Sequence, residues 1–218
     1  MSHMWTHWHD WFGTLFGGLL VGLELAVVSF TIGLPLGFAT AVGTMSSHRW
    51  QRRIAIGLVE VGRGCPALLL LYLVYYGLPD VGLTFSAFMT ATGVLAFISA
   101  AYTGEVIRGA LASIPRGETE ASSALGMTNT DTIRFILVPQ AVVVATPALL
   151  GYFVAIFQAT ALTSQITVRE LLARAGTIGS ATFEYTQVLL LAALMYLAIT
   201  VPLGVGTRAL ETRFARHR

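Results

Sequence analysis

The chain has 218 residues, of which 55% are hydrophobic and only 11% are charged, and its mean hydropathy is +0.72. A soluble domain carries about 25% charged residues, so this composition indicates a protein that is solvated by lipid. The net charge is +2 and every basic residue is arginine, which excludes a Walker A phosphate loop and a lysine Schiff base, while the single cysteine excludes an intramolecular disulfide.

Five apolar runs are long enough, alone or when extended, to cross a bilayer, which takes about 20 residues. The first covers 25–47 and extends back to residue 15 if Glu24 is tolerated. The second covers 64–79 and is extended backwards by 54–61. The other three cover 81–104, 135–168 and 185–207. The sequence therefore predicts an all-α integral membrane protein with about five transmembrane helices in a single domain, 1–218.

Five spans place the two termini on opposite sides of the membrane, and the arginine distribution predicts which side each occupies. The connections on one side carry most of the arginines, whereas the other side has only Arg169 and Arg174. Because the arginine-rich side is normally cytoplasmic, we expect the N-terminus outside and the C-terminus inside. The arginines on the rich side are Arg49, Arg52, Arg53, Arg108, Arg116, Arg134, Arg208, Arg213, Arg216 and Arg218.

The segment from Glu105 to Arg134 is too polar to cross the membrane and too regularly patterned for a plain loop. Pro115 is suited to open a helix over 117–125, and Gly126 is suited to end it. Thr128 with an acidic residue three positions later forms a capping-box pattern that opens a second helix. These signals predict a helix, a glycine hinge and a helix, which either dock into a groove on another protein or simply join two spans.

The sequence of this segment resembles the EAA loop of ABC importer membrane subunits. The matching residues are Glu120-Ala121-Ser122-Ser123-Ala124-Leu125-Gly126, with Val138-Pro139 further on. In that family the loop forms coupling helices that seat in a cleft of the ATPase subunit. Here Ser122 replaces an alanine and Val138 replaces a leucine. The resemblance implies a cytoplasmic coupling loop over 114–139, with ATPase-docking residues Glu118, Glu120, Ala121, Ser122, Leu125, Gly126, Met127 and Pro139.

Further motifs narrow the resemblance to the polar amino acid permeases. They are Arg63-Gly64-Cys65-Pro66, Tyr75-Tyr76-Gly77-Leu78-Pro79, a run from Ala101 to Gly109 and a run from Val168 to Leu171. Cys65 departs from the usual threonine.

The resemblance implies the membrane subunit of an ATP-driven importer in the bacterial inner membrane, for a polar amino acid or a similar solute. It also implies two ATPase subunits, a second permease subunit that is identical or homologous, and an extracytoplasmic solute-binding protein. ATP and Mg would bind the ATPase, and this chain would hold no catalytic residue, cofactor or metal. No nucleic acid is implied.

Polar residues within or beside the spans are candidates for the substrate pathway. Glu105 and Arg108 are three apart on one helix and can pair, either as a structural pair or as a pathway charge, and Glu60 and Arg63 have the same spacing. A polar cluster from Gln158 to Gln165 either lines the path or caps its own helix end. The pathway candidates are Tyr102, Glu105, Gln158, Thr160 and Thr163.

Three other functions are weighed on the sequence: a secondary carrier and a scaffold subunit, both working without an ATPase, and an intramembrane enzyme, which the placement of the histidines outside the spans disfavours. A carrier would be expected to show paired intramembrane charges or inverted repeats, and neither is evident. The glycine pair Gly33 and Gly37 has spacing typical of close helix packing, either within the chain or between subunits.

Overall fold

The computed structural model describes residues 7–215, except for the side chains at 211 and 213–215. Arg216 and Arg218 of the arginine-rich side therefore lie outside the described residues, as does the side chain of Arg213. Within the described range all regular structure is helical. The helices are α1 (Trp8–Thr44), α2 (Arg49–Gly64), α3 (Ala67–Tyr72), α4 (Ala87–Ala112), α5 (Arg116–Ala124), α6 (Asn129–Asp131), α7 (Val138–Ala159), α8 (Leu171–Thr182) and α9 (Tyr185–Ala215).

Four shorter helical pieces extend these elements. α3 continues through a π-helical turn over Leu73–Gly77 and a 3-10 turn over Leu78–Val81. A π-helical stretch over Thr132–Leu137 joins α6 to α7, and a 3-10 stretch over Thr160–Ile166 follows α7. Four stretches within the described residues are long and apolar enough to cross a membrane: Trp8–Thr44, Ala87–Ala112, Asn129–Ile166 and Tyr185–Leu210.

The second predicted span is not one straight helix. α2 and the segment Ala67–Val81 meet at a bend of 104°, and they reach the length and apolarity of a span only as a pair. Cys65 and Pro66 both adopt extended ψ angles, 135° and 131°. Proline disfavours a helical conformation in the residue before it and donates no backbone hydrogen bond, so the chain turns here. Counting the bent pair as one span gives the five that the sequence predicts.

The third span begins and ends later than predicted. Ser86 caps α4 by accepting a hydrogen bond from the backbone N–H of Met89 at 3.2 Å, and the helix continues to Ala112. Glu105 and Arg108 therefore lie inside a membrane-spanning helix, and placing them in the polar connecting segment was wrong. The two side chains pair with each other, which lets the helix carry them.

α1 and α4 run in the same direction and touch through backbone. Gly33 packs against Ala96 and Ala100, and Gly37 packs one turn later against Ala100 and Gly104. A Cβ at Gly33 would lie 2.8 Å from the carbonyl oxygen of Ala96, and one at Gly37 would lie 3.0 Å from that of Ala100. The small-residue spacing therefore serves packing within this chain.

We expect Gly33→Leu to destabilise the protein by about 3 kcal/mol, because the backbone of α4 cannot move away without opening the whole interface. Gly13→Leu is the matched control: Gly13 lies on the same helix, and a Cβ there would meet nothing within 4 Å. Thermal unfolding of both variants in detergent, followed by tryptophan fluorescence, measures the difference. Equal midpoints for the two variants would contradict the close packing of α1 on α4.

Three apolar clusters hold the helices together along the length of α1. One contains Trp11 and Leu15 and joins α1 to α7, α8 and α9. A second surrounds Leu25 and joins α1 to α3 and α4. The third surrounds Ala41 and Ile107 and joins α1 to α4 and α7. These contacts position α5 beyond the α1–α4 interface, at the end of the molecule where α4 ends and α7 approaches.

Candidate functional site

The end of α5 is fixed by backbone geometry. Gly126 has φ +74°, the left-handed conformation that glycine adopts without strain. Its N–H donates to the carbonyl of Ser123 at 3.0 Å, and the N–H of Met127 donates to that of Ser122 at 3.1 Å. This pair of bonds is a Schellman motif, which satisfies carbonyls that the helix end would leave unpaired. The predicted helix end at Gly126 is confirmed, and α5 lies within one residue of the range expected from sequence.

The second half of the segment begins as the capping pattern predicts. The Thr128 hydroxyl oxygen accepts a hydrogen bond from the backbone N–H of Asp131 at 3.2 Å and lies 2.6 Å from its carboxylate. The helix then continues through Asn129–Ile166. The segment 114–139 is therefore a short helix, a glycine turn and the capped start of a long helix that is apolar enough to span a membrane.

Most of the residues expected to dock an ATPase lie on the surface of this segment. Leu125 is 81% exposed, which is unusual for a leucine next to charged residues. The exposed members of the predicted set are Glu118, Glu120, Ala121, Leu125, Gly126 and Pro139, and Met127 is half-buried. The apolar knob at Leu125 with acidic neighbours is the kind of feature that enters a groove on another protein.

Ser122 differs from the rest of the predicted docking set. It is only 4% exposed, and its hydroxyl donates to the carbonyl of Glu118 at 2.7 Å. Glu118 in turn accepts a hydrogen bond from the Gln140 side chain at 3.4 Å. The direct docking contact expected for Ser122 does not fit this position. Its side chain is buried in the protein and its hydroxyl bonds within α5 itself.

A charged cluster lies within α2 and α4. Glu105 accepts a hydrogen bond from Nε of Arg108 at 2.9 Å, and its other carboxylate oxygen lies 3.3 Å from Nη1 of Arg63. The expectation that Arg63 pairs with Glu60 was wrong, because among the described residues Arg63 forms its ion pair across to α4. The guanidinium of Arg63 also lies over the ring of Tyr102, 5.7 Å from its centroid, and Tyr102 stacks on Tyr152.

The position of this cluster restricts what covers it. Glu105 precedes the last residue of α4, Ala112, by seven residues, which is about 10 Å along the helix. The side chains of Arg63, Glu105 and Arg108 are 41%, 29% and 44% exposed on the surface of the single chain. Charges at membrane depth face a partner or a water-filled cavity rather than lipid. This surface of the chain is therefore poorly suited to contact lipid.

The polar cluster after the fourth span divides into two groups. Thr160 and Thr163 are fully buried, and their hydroxyls donate to the carbonyls of Phe157 and Thr160 at 2.7 and 2.6 Å. These two threonines satisfy their own helix end, as the second interpretation of the cluster holds. Gln158 and Gln165 are exposed.

Tyrosines of the bent segment also reach this region, and the sequence argument missed them. The hydroxyl of Tyr75 lies 3.3 Å from the hydroxyl of Thr167, and the hydroxyl of Tyr76 donates to the carbonyl of Gln165, also at 3.3 Å. Their spacing was visible in the sequence, but their partners lie about 90 residues later.

Glu170 is a second residue that sequence reasoning missed. It is fully buried and caps α8 by accepting hydrogen bonds from the backbone N–H groups of Leu172 and Ala173, both at 2.8 Å. The Tyr196 hydroxyl donates to the same carboxylate at 3.1 Å. Burial raises the pKa of Glu170, and the hydrogen bonds partly oppose that effect. The motif from Val168 to Leu171 contains Glu170, but the capping role was not predicted, because α8 itself was not predicted.

We expect Glu170→Ala to lower the stability of the protein by about 2–3 kcal/mol, since two helix N–H groups and the Tyr196 hydroxyl lose their acceptor in a buried site. Glu170→Gln keeps an acceptor oxygen there and should cost much less. Thermal unfolding of the two variants in detergent separates these effects. Similar losses in both would show that the hydrogen bonds are unimportant.

The pH dependence of the same pair tests the raised pKa. The folded state holds the Glu170 proton more tightly than the unfolded state, in which the pKa is about 4.3. The stability of the wild type relative to Glu170→Gln should therefore be greatest at pH 4 and fall as the pH rises. Unfolding midpoints of both proteins from pH 4 to pH 7 measure this. A gap that widens in favour of the wild type as the pH rises would contradict the assignment.

Among the side chains that the structure describes, no three His, Cys, Asp or Glu residues come together as a metal site. The arrangement offers an exposed short helix, a glycine turn that connects it to a long apolar helix, and a partly exposed charged face on α2 and α4. It brings Tyr102 and Glu105 together with Arg63. No hydrogen bond or ion pair among the described residues joins Tyr102 or Glu105 to Gln158, Thr160 or Thr163.

Comparison with known proteins identifies the family. Residues 33–216 match the family described as binding-protein-dependent transport system inner membrane component. The chain belongs to this family. A probable amino-acid ABC transporter permease of Bacillus subtilis, YckA, is 34% identical over 92% of this chain and 88% of its own length. The arginine ABC transporter permease ArtQ of Haemophilus influenzae is 34% identical over 95% and 96%.

Solved structures support the same family assignment. A crystal structure described as an amino acid ABC transporter with histidines superposes with a TM-score of 0.88, at 31% identity, over 94% of this chain and 95% of the other. The methionine transporter MetNI, at 21% identity, has the same fold with a TM-score of 0.69. The chain is thus the permease subunit of an ABC importer and an inner membrane component, as its resemblance implied.

Proposed function

We propose that this permease passes a polar amino acid or an amino-acid-like solute into the cytoplasm, driven by ATP hydrolysis on a separate ATPase that docks on the segment 114–139. The observation that carries the proposal is α5, a short capped helix that presents the 81% exposed Leu125 at the base of the long helix Asn129–Ile166. The solute class is supported by relatives whose names specify arginine, L-cystine and octopine transport.

The assembly comprises two ATPase subunits, which bind ATP and Mg, a second permease subunit and an extracytoplasmic solute-binding protein. The N-terminus lies outside and the C-terminus inside, so α5 faces the cytoplasm, where ATP is available. Closure of the ATPase pair pushes α5, and the Gly126 turn passes the movement to α7. This is a coupling of two sites through one two-state element.

The second permease subunit covers the charged face of α2 and α4, or shares a water-filled path with it. Tyr102 and Glu105 lie on that face beside Arg63, and Gln158 is exposed on the fourth span. These residues form the proposed lining of the solute path. Thr160 and Thr163 were expected to belong to it, but their buried, internally bonded hydroxyls support a structural role and we leave them out.

Gentle purification of the tagged chain from its native membrane tests the proposal. Every co-purifying chain is identified by mass spectrometry, and ATP hydrolysis is measured in lipid with a panel of amino acids and the candidate binding protein. We expect a stoichiometric ATPase whose hydrolysis rises with one binding protein and one amino acid. A chain that purifies alone under several mild detergents, or that transports without ATP, would overturn the proposal in favour of a scaffold or a secondary carrier.

A further inference from the structure

An apolar groove of about 610 Å³ lies between α1, α2 and α4. This volume is within the range of about 300–1,000 Å³ that is typical of ligand sites. The walls are almost entirely apolar and come from Ile32 and Leu36 of α1, Ile54 and Leu58 of α2 and Phe97 of α4. The groove is separate from the docking segment and from the charged cluster around Glu105.

The groove is open to its surroundings. Leu36, Ile54 and Leu58 are 50%, 55% and 46% exposed, and Ile32 is 43% exposed. All four lie within helices of the membrane domain. An open apolar groove in that position is a place where one hydrocarbon chain can lie along the protein.

One end of the groove is marked by a tryptophan and three arginines. Trp50, in the first turn of α2, lines the groove and is 62% exposed. Arg49, Arg52 and Arg53 are on the same turns, all exposed, and none of them forms an ion pair with a described residue. Tryptophan and arginine are typical of the membrane–water interface, and clustered basic residues there attract anionic lipid headgroups.

We propose that this groove binds one anionic phospholipid. An acyl chain lies along Leu36, Ile54 and Leu58, and the phosphate lies among Arg49, Arg52 and Arg53. A second copy of the chain is disfavoured as the occupant of the groove. Both copies carry Arg49, Arg52 and Arg53 on the same side of the membrane, so their contact would bring the two sets of positive charges together. The site does not depend on which solute the permease carries.

The test is native mass spectrometry of the purified full-length chain in detergent. The protein is titrated with phosphatidylglycerol or phosphatidylcholine that is dissolved in the same detergent. We expect the wild type to retain phosphatidylglycerol at least about fivefold more strongly than phosphatidylcholine. The triple variant Arg49→Gln, Arg52→Gln, Arg53→Gln should lose this preference. The matched triple lysine variant keeps the charge and should keep it.

A second variant tests the groove without touching the arginines. Gly93 lines the groove, and a Cβ there would meet nothing within 4 Å, so Gly93→Leu fills the groove and leaves the fold undisturbed. Gly109→Leu is the matched control, since Gly109 is equally open on the same helix and lies outside the groove. Gly93→Leu should reduce retention of both lipids, and Gly109→Leu should not.

Three results would overturn the proposal. The first is equal retention of the two lipids by the wild type. The second is unchanged lipid retention in Gly93→Leu. The third is a preference for phosphatidylglycerol that persists in the triple glutamine variant. If lipid retention in Gly93→Leu is unchanged while its monomer–dimer ratio changes, a second copy is the occupant.

Discussion

Replacing Gly126 by valine should uncouple transport from ATP hydrolysis, with uptake falling by at least about tenfold while the ATPase remains active. Gly126 has φ +74°, where a β-branched residue is strained, and both bonds of the α5 helix end depend on that conformation, one donated by Gly126 and the other by Met127. Valine would force the turn to open and change the angle between α5 and the long helix that follows. A tenfold effect corresponds to about 1.4 kcal/mol, which is within the cost of such strain.

The matched variant for this prediction is Gly126→Asn. Asparagine adopts the left-handed conformation more readily than other non-glycine residues, so it should keep most of the coupling. Uptake and ATP hydrolysis are measured together in vesicles that contain the whole transporter. Normal uptake with tightly coupled hydrolysis in Gly126→Val would show that the turn does not transmit the movement.

Replacing Glu105 by glutamine should reduce uptake by about tenfold and lower the yield of assembled transporter. The change leaves Arg63 and Arg108 as two unneutralised cations at membrane depth, about 10 Å from the end of α4. The three side chains are partly exposed, so solvent screening makes the loss of stability smaller than for a fully buried pair. The larger effect should therefore appear in transport and assembly rather than in the unfolding midpoint.

Glu60→Gln is the matched control for Glu105. Glu60 is three residues from Arg63 on the same helix, is exposed, and makes no ion pair with a described residue. Uptake and the yield of assembled transporter should stay near the wild-type values in this variant. Equal losses of uptake and yield in the two variants would mean that the ion pair between Arg63 and Glu105 is no more important than the unpaired Glu60. The charged face would then have no specific role in transport.

The parts of this protein that sequence predicts well are those encoded by neighbouring residues. The end of α5 depends on Gly126, and the next helix start depends on Thr128 and Asp131, all within a few positions. The apolar runs likewise predict the spans, because membrane hydrocarbon requires them. The family resemblance rests on the same local motifs.

The parts that sequence could not predict depend on contacts between distant residues. From spacing alone, Glu60 was expected to pair with Arg63, and Glu105 with Arg108. The ion pair between Arg63 and Glu105 forms only because α2 packs beside α4, which local sequence does not show. Glu170 belonged to a matched motif, but its capping role and its burial were not predicted, because its partner Tyr196 is on another helix. Helix α8 lacks the length and periodicity that identify a span, so it was not predicted.

The bend at Cys65 and Pro66 lies between these cases. Proline in the second apolar run was visible, but kinked helices and broken helices both contain proline, and local sequence does not choose between them. The break brings Tyr75 and Tyr76 against the residues that follow the fourth span. These contacts between distant residues therefore appear only in three dimensions.

The most direct test of the central claim is a cross-link between α5 and the ATPase. Cys65→Ser removes the only cysteine, and Leu125→Cys then places a single thiol at the 81% exposed position of the docking segment. Thr177→Cys, exposed on α8 at the opposite end of α1, is the control. A short thiol–amine cross-linker applied to native membranes should join position 125, and not position 177, to a chain that carries a Walker A motif. No ATPase cross-link at position 125, with the protein otherwise intact, would contradict the account.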